Sequence, residues 1–470
     1  MFGGLSDAAV VDGMAAAVRA ESAEIARRLA LIGELDARRT VELAETVFWR
    51  TDPFEEVAAE VSAALSISRS RAGSQIHYAR ALRDKLPHIA ALFATGAIDF
   101  RVVTTIIART ANVAEQAWPA LDKVLADHAA KWMRLSDPKL RDRVDLWVAK
   151  HDPDAVRVPP AVDDARHLTV EPASAGTAAI WGNLRAADAA GFDKRLDALA
   201  ATVCENAPRT RDQLRADACG ALGRLQERLD CHCDSPDCPA AGECRAAASV
   251  VIHVLADQAT LDGTSNQPGY LPGFGVLPAE SVRDLAGHAK LQPLTVPEQP
   301  QRGYRPSVAL AEFVRWRDLT CRFPGCDAPA QRCDIDHTVP YPQGPTHPSN
   351  TKTYCRAHHL IKTFCPGWSD RQYPDGTIVF TAPTGHTYTT EPHGAALFPI
   401  LGQPTGDLTI PEPHQPGGDR SVMMPKRRHT REQDQQHRIN AERRERAELN
   451  AEQQRQHQQW LDTNAEPPPF

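Results

Sequence analysis

Two close pairs of metal-ligating residue types stand within residues 321–363. Cys321 and Cys326 form the first pair, and Cys355 and His358 form the second. Three thiolates and one imidazole are a ligand set of closed tetrahedral zinc sites. The spacing therefore predicts a structural Zn²⁺ held by these four side chains.

Between and beside those pairs lies a second set of polar residues with different chemistry. Asp336 and His337 are adjacent, Asn350 follows, and His359 comes directly after the last predicted zinc ligand. A carboxylate and an imidazole can hold a divalent cation, and a further neutral imidazole can take a proton from water. The residues favour a metal-dependent hydrolytic site over a purely structural zinc ribbon, in which Asp336 and His337 would only cap a turn.

Local patterns indicate how these side chains are positioned. Alternation predicts a short strand over 335–341, and Pro and Gly interrupt it over 342–348. We expect residues 351–363 to form a helix with Asn350 at its N-cap. His358 and His359 would then stand at i+3 and i+4 from Cys355, so that neighbouring ligands face adjacent ions.

This pattern, DH followed by Asn and His and framed by CxxxxC and CxxH, resembles the HNH endonuclease module, a ββα-metal fold. The resemblance implies that His337 is the general base, that Asn350 orients it, and that Asp336 and His359 hold a catalytic Mg²⁺ or Mn²⁺. It also implies a structural Zn²⁺ on Cys321, Cys326, Cys355 and His358. Many HNH proteins carry CxxC at both places, so the histidine in the second pair leaves the roles of His358 and His359 open to exchange.

Composition sets limits on the partners. The chain has 470 residues and a formal net charge of −7, so any attraction to nucleic acid must be local. Arg356 and Lys362, on the same predicted helix as His359, are the candidates for DNA phosphate contacts. Because we find neither a secretory signal nor an apolar run long enough for a membrane span, we expect a cytoplasmic protein that does not enter membranes. The oligomeric state cannot be read from the sequence.

A second cysteine group precedes the first. The eleven cysteines are odd in number and clustered, which favours metal binding over a disulfide framework. Within residues 231–244 the spacing is irregular, so two interpretations stay open: a loop of unligated thiols, or a second zinc site. The ligands of that second site would be Cys231, Cys233, Cys238 and Cys244.

The long N-terminal part reads as nearly continuous helix, with two strands joined by a turn expected over 166–181 and a third strand expected over 249–255. Its stretches RTRDQLRADA from Arg209 and VVIHVLADQATLDG from Val250, together with the HNH pattern, are similar to an actinobacterial, largely mycobacterial family, the thirteen-E-twelve repeat proteins. The resemblance covers most of residues 6–390. It implies an N-terminal domain of unknown function followed by an HNH module.

The expected fold class is mainly α with small α+β parts. We divide the chain into a helical domain over 6–295, an HNH nuclease module over 305–392, a linker over 402–425 and a charged tail over 426–470. The tail is either helical or disordered, and we interpret it as inert.

Two functions from different classes follow. The leading hypothesis is an HNH-type DNA endonuclease that hydrolyses phosphodiester bonds. The alternative is a non-catalytic, zinc-stabilised DNA-binding or regulatory protein that reads DNA through a helix-turn-helix over 57–79. We favour a plain bend between two helices at 57–79, because the turn glycine of that motif is absent.

Overall fold

The computed structural model describes residues 4–158, 166–184, 186–233, 235, 238, 253–272, 274–297, 299–406, 408 and 423–464. The chain forms two compact units. The first combines Met1–Val158 with Pro293–Phe470, and the second is Pro159–Gln292. The described residues are mainly helical, with four small antiparallel sheets, which confirms the mainly α class.

Helices make up the N-terminal part of the first unit. They are α1 (Asp7–Glu42), α2 (Pro53–Leu65), α3 (Arg69–Asp84), α4 (Pro87–Ala94), α5 (Phe100–Arg109), α6 (Trp118–Trp132) and α7 (Asp137–His151). Their starts follow local chemistry. Asp52, Ser68 and Asp99 each accept a backbone N–H in the first turn of the helix that follows, which satisfies a donor without an intrahelical partner.

One apolar core joins these helices. Leu29, Ile76, Phe93, Val102 and Leu125 contribute to it from five different helices, and each is almost completely buried. Burial of such side chains is worth about 1.5–3 kcal/mol each before the entropy of ordering is counted. Among the helices that the structure describes, none has both the length and the apolar composition to cross a membrane.

The second unit contains shorter elements. They are β1 (His167–Pro172), β2 (Ala178–Asn183), α8 (Ala186–Ala200), α9 (Arg211–Gly223), α10 (Gln258–Leu261), β3 (Gly269–Leu271), β4 (Gly275–Leu277) and α11 (Ala279–His288). Strands β1 and β2 pair as an antiparallel hairpin, which confirms the two strands expected over 166–181. Most of a strand expected over 249–255 lies outside the described residues.

The C-terminal part of the first unit carries the candidate site. Its elements are α12 (Val308–Asp318), β5 (Asp334–His337), β6 (Thr351–Tyr354), α13 (Arg356–Phe364), β7 (Ser369–Gln372), β8 (Ile378–Thr381), β9 (Thr387–Thr390), α14 (His393–Leu397) and α15 (Arg431–Asn464). Strands β5 and β6 pair antiparallel, and β7, β8 and β9 form a three-stranded sheet.

The prediction of a helix over 351–363 is wrong for its first turn. Residues Thr351–Tyr354 form strand β6, and α13 begins only at Arg356, with Cys355 as its N-cap residue. The local sequence TKTY is rich in β-branched and aromatic side chains, and Asp336 pairs with Lys352 in the ladder to β5. Strand pairing therefore prevails over the N-cap preference of Asn350.

The charged tail is helical from Arg431 onward and is anchored to the N-terminal helices. Arg431 Nε lies 2.6 Å from Asp52 Oδ2, and Arg443 Nη1 lies 2.6 Å from Asp152 Oδ2. The tail thus differs from the inert segment that we expected. Most of the linker expected before it lies outside the described residues.

Candidate functional site

Four predicted zinc ligands converge on one point of the first unit. The donor atoms of Cys321, Cys326, Cys355 and His358 all lie within 4.8 Å of one another, and we call this group the mixed cluster. His358 Nδ1 is 3.5 Å from Cys321 Sγ and 3.3 Å from Cys355 Sγ. The local structure explains the convergence, because Cys355 caps α13 and His358 lies in its first turn. Such a group could bind a metal ion such as zinc.

The loop that carries the first cysteine pair is fitted to the N-terminal helices. Gly325 has φ of +78°, and a Cβ there would stand 2.5 Å from the carbonyl oxygens of Ser62 and Ile67. Ser62 Oγ donates to the Ile67 carbonyl at 2.6 Å and lies 3.3 Å from the Pro324 carbonyl oxygen. The turn between α2 and α3 therefore packs against this loop, which supports a scaffold role for the region of the suggested helix-turn-helix.

His358 is fully buried between the thiols and an aromatic ring. Its imidazole stacks on Phe323 with centroids 3.9 Å apart, and its Nε2 has no hydrogen-bond partner among the described groups. The side chain therefore offers Nδ1 alone to the thiols. His359 points elsewhere, so the two histidines hold separate positions.

His359 faces two carboxylates on strand β5. Its Nδ1 lies 2.9 Å from Asp334 Oδ2, and its Nε2 lies 3.4 Å from Asp336 Oδ1. Burial lowers the pKa of His359, but Asp336 and Asp334 outweigh that effect and raise it above its usual value. Asp334 was missed in the sequence; its signal was a position two residues before Asp336, which places both on one strand face.

Asp336 is surrounded by cations. Lys362 Nζ lies 2.8 Å and Lys352 Nζ 3.2 Å from its Oδ2 atom. Burial acts to raise the pKa of Asp336, yet the two lysines and His359 hold it well below its usual range. The carboxylate is therefore ionised, and its Oδ1 atom remains directed at His359.

His337 is held in one tautomer by its neighbours. Its Nε2 lies 2.8 Å from Thr346 Oγ1, and Thr346 donates its single hydroxyl proton to the Gly303 carbonyl at 2.7 Å. Thr346 must then accept a proton from Nε2–H, which leaves the lone pair on Nδ1. Burial lowers the pKa of His337 to about 4, so the ring is neutral at physiological pH.

Asn350 forms no hydrogen bond to the His337 ring among the described contacts and acts on it through the loop that contains Thr346. The Asn350 amide accepts from the Val339 N–H and donates to the carbonyls of Val339 and Pro345, each at 2.9 Å. These bonds close the loop between β5 and β6, which contains Thr346. Asn350 thereby positions the loop whose hydroxyl holds the imidazole.

The two predicted phosphate contacts occupy different places. Lys362 is largely buried, and besides Asp336 it contacts the His337 carbonyl at 2.5 Å. Arg356 is exposed and lies 3.3 Å from Asp334 Oδ2. Only Arg356 presents its charge at the surface.

The second unit contains another group of side chains that could bind a metal ion. The sulfur atoms of Cys204, Cys231, Cys233 and Cys238 all lie within 4.8 Å of one another, and we call this group the thiol cluster. Three of its members were predicted; Cys204 was not, and the predicted Cys244 lies outside the described residues. Four thiols suit a soft or borderline ion such as zinc.

Tertiary contacts bring Cys204 to the other three thiols. The segment after α9 returns to the loop after α8, where the Leu229 N–H donates to Thr202 Oγ1 at 2.9 Å. Arg209 bridges the same two segments through the Asp230 carbonyl. Cys204 Sγ and Cys231 Sγ are 3.5 Å apart as a result.

Comparisons with known proteins identify relatives of the whole chain. Residues 16–318 match the model of a family described as a domain of unknown function, DUF222. Uncharacterized protein Rv3776 of Mycobacterium tuberculosis is 45% identical and covers 93% of this chain and 90% of its own length. Uncharacterized protein Rv2100 of the same organism is 44% identical and covers 93% and 87%. No solved structure matches the chain.

Proposed function

The chain belongs to the DUF222 family, the family of the thirteen-E-twelve repeat proteins, and we propose that it is a metal-dependent HNH-type DNA endonuclease. One arrangement carries the proposal: a neutral His337 with its Nδ1 lone pair free directly follows Asp336 on β5, and Asp336 faces His359. These groups lie on β5 and α13 beside the mixed cluster. Two antiparallel strands followed by a helix agree with the ββα-metal fold of HNH modules.

Asp336 and His359 are the residues that would hold the catalytic ion, Mg²⁺ or Mn²⁺. Their facing atoms are 3.4 Å apart, and two ligands at about 2.0–2.2 Å from one cation have a similar separation. Because Asp334 accepts from Nδ1–H, a neutral His359 presents its lone pair to Asp336. A carboxylate oxygen and a lone pair repel each other at this distance unless a proton or a cation lies between them. Such an ion would stabilise charge on the phosphate and the leaving oxygen.

His337 would act as the general base. Its Nδ1 takes a proton from the attacking water, while Thr346 holds Nε2–H and keeps the ring oriented. A pKa of about 4 makes the imidazole a weak base but keeps it unprotonated. The ionised Asp336 next to it stabilises the imidazolium that forms. Removal of such a base costs about 10²–10⁴ in rate.

Plasmid nicking by the purified full-length protein tests the proposal. We expect nicking with Mg²⁺ or Mn²⁺ and none when these ions are omitted; omission is preferred to chelation, because a chelator also removes zinc. His337→Ala should lose nicking and keep its zinc content. His386→Ala, which removes an exposed imidazole in the β8–β9 turn, serves as the matched control and should nick like the wild type.

Two outcomes would contradict the proposal. Equal nicking by the wild type and His337→Ala would remove His337 from the reaction. DNA binding without nicking under all these conditions would favour the alternative, a non-catalytic, zinc-stabilised DNA-binding or regulatory protein.

A further inference from the structure

A short exposed segment, residues 302–305, lies against the candidate general base. Tyr304 stacks its ring on the His337 imidazole with centroids 5.3 Å apart and planes inclined by 22°. The Tyr304 side chain nevertheless remains 59% exposed, so one face of its ring is open to solvent. A second tyrosine, Tyr341, lies 6.5 Å from the same imidazole and is 40% exposed. Two accessible aromatic rings therefore border His337.

Backbone contacts fix the position of this segment. The Gln301 N–H donates to the Thr346 carbonyl at 2.9 Å, and the Thr346 hydroxyl donates to the Gly303 carbonyl at 2.7 Å. Gly303 has φ of +100°, a conformation that favours glycine. Thr346 also bonds to His337 Nε2, so one residue sets both the imidazole and the segment beside it.

The segment carries positive charge that the described residues leave uncompensated. Arg302 and Arg305 flank Tyr304, both are exposed, and neither forms an ion pair with a described residue. Arginines nearby in the fold behave differently: Arg317 and Arg322 are buried and both lie against Asp318. The first two arginines are thus free to contact a ligand, whereas the second two are structural.

We infer that residues 302–305 bind a nucleotide of the substrate. In this inference, which rests on the proposed function, Tyr304 stacks on an unpaired base next to the scissile phosphate, and Arg302 and Arg305 contact backbone phosphates. Bases inside an intact duplex are stacked on one another and offer no free face to a tyrosine. The substrate class is therefore single-stranded or locally unpaired DNA.

Fluorescence anisotropy with labelled single-stranded and duplex oligonucleotides tests the inference, using the full-length protein without added Mg²⁺ or Mn²⁺. Tyr304→Ala should weaken single-strand binding about five-fold or more, because stacking is worth about 1–3 kcal/mol per base. Tyr304→Phe should bind like the wild type, since it keeps the ring. Trp460→Ala, which removes an exposed aromatic ring of α15, is the control and should have no effect.

The arginines are tested by salt dependence. Arg302→Gln and Arg305→Gln should each reduce the slope of log affinity against log salt by about 0.7 on single strands. Arg27→Gln, which changes an exposed arginine of α1, should leave the slope unchanged.

The inference and the proposed function fail in different ways. If Tyr304→Ala binds single strands as tightly as the wild type, or if the wild type prefers intact duplex, the inference is overturned, while nicking by the wild type would still support the proposed function. If the wild type binds strands in a Tyr304-dependent manner but never cleaves them, the endonuclease proposal fails and the binding segment stands. If it binds no nucleic acid at all, the inference is overturned.

Discussion

The mixed cluster and the thiol cluster have similar ligands and very different surroundings. In the mixed cluster Cys321, Cys326 and His358 are buried, and their core also includes Phe323 and Phe380. All four members of the thiol cluster are partly exposed. In the described residues only the mixed cluster lies close in the chain to a strand that carries two carboxylates and an imidazole, Asp334, Asp336 and His337. The spacing of metal ligands alone therefore indicates a structural metal site. Carboxylates and imidazoles next to such a site indicate a catalytic one.

The largest expected effect is the loss of a ligand from the mixed cluster. Structural zinc sites contribute about 10–16 kcal/mol of apparent binding energy to folding. Cys326→Ser should therefore lose one zinc per chain and all nicking, as measured by elemental analysis and plasmid assay. Cys365→Ser, which changes a buried thiol of the same core outside the cluster, should retain both. Full zinc content in Cys326→Ser would show that Cys326 is not a zinc ligand and that the mixed cluster is not a structural zinc site.

The corresponding substitution in the thiol cluster should affect zinc binding without affecting DNA nicking. Cys204→Ser is expected to lose one zinc per chain and still nick DNA, because the candidate site lies in the other unit. Cys219→Ser, outside the cluster on α9, is the control and should keep its zinc. Cys244→Ser should also keep it. Zinc loss from Cys244→Ser but not from Cys204→Ser would restore the ligand set that we expected from the sequence.

Burial around the mixed cluster also predicts a pH dependence of stability. Glu56, on α2 near Cys365, is 4% exposed, and its Oε1 has no hydrogen-bond partner. Desolvation raises its pKa from 4.5 to about 7, so between these pH values the carboxyl ionises in the unfolded chain but stays protonated in the folded one, which costs the folded state at most about 3 kcal/mol. The stability of the wild type should fall as the pH rises from 4.5 through 7.

Glu56→Gln removes this dependence. Urea unfolding should show the variant more stable than the wild type at pH 8, with the difference vanishing near pH 5. Glu45→Gln, which changes an exposed carboxylate, is the control and should follow the wild type throughout. A difference between Glu56→Gln and the wild type that does not vary with pH would show that Glu56 does not titrate in this range.

The smallest expected effect concerns the carboxylate that orients His359. Asp334→Asn should reduce cleavage and Mn²⁺ affinity by about 10–100-fold, the usual cost of losing a partner of a metal-ligating histidine. Arg356→Gln, which removes the other partner of Asp334, controls for the exposed ion pair. It should leave Mn²⁺ affinity unchanged. Equal Mn²⁺ affinity in Asp334→Asn and the wild type would show that Asp334 does not tune the site.

Sequence patterns predicted the candidate site residues better than the backbone elements and neighbouring side chains that position them. Cys355, His358 and His359 belong to one helix start, so their spacing alone places them together. Asp334 was missed although it shares a strand face with Asp336, because a lone aspartate carries little signal. The helix expected from residue 351 was wrong in its first turn, since pairing with β5 decides that backbone.

By itself the sequence determined the mainly helical class and the two ligand pairs of the mixed cluster, because each pair is held by one loop or one helical turn. The pairing of Asp336 with His359 was expected only from the resemblance to the HNH module. Only the tertiary structure decided that Cys204 joins the thiol cluster, which tautomer Thr346 imposes on His337, and that Tyr304 covers that ring. Those features depend on contacts between separate loops and secondary-structure elements, and residue spacing carries no information about such contacts.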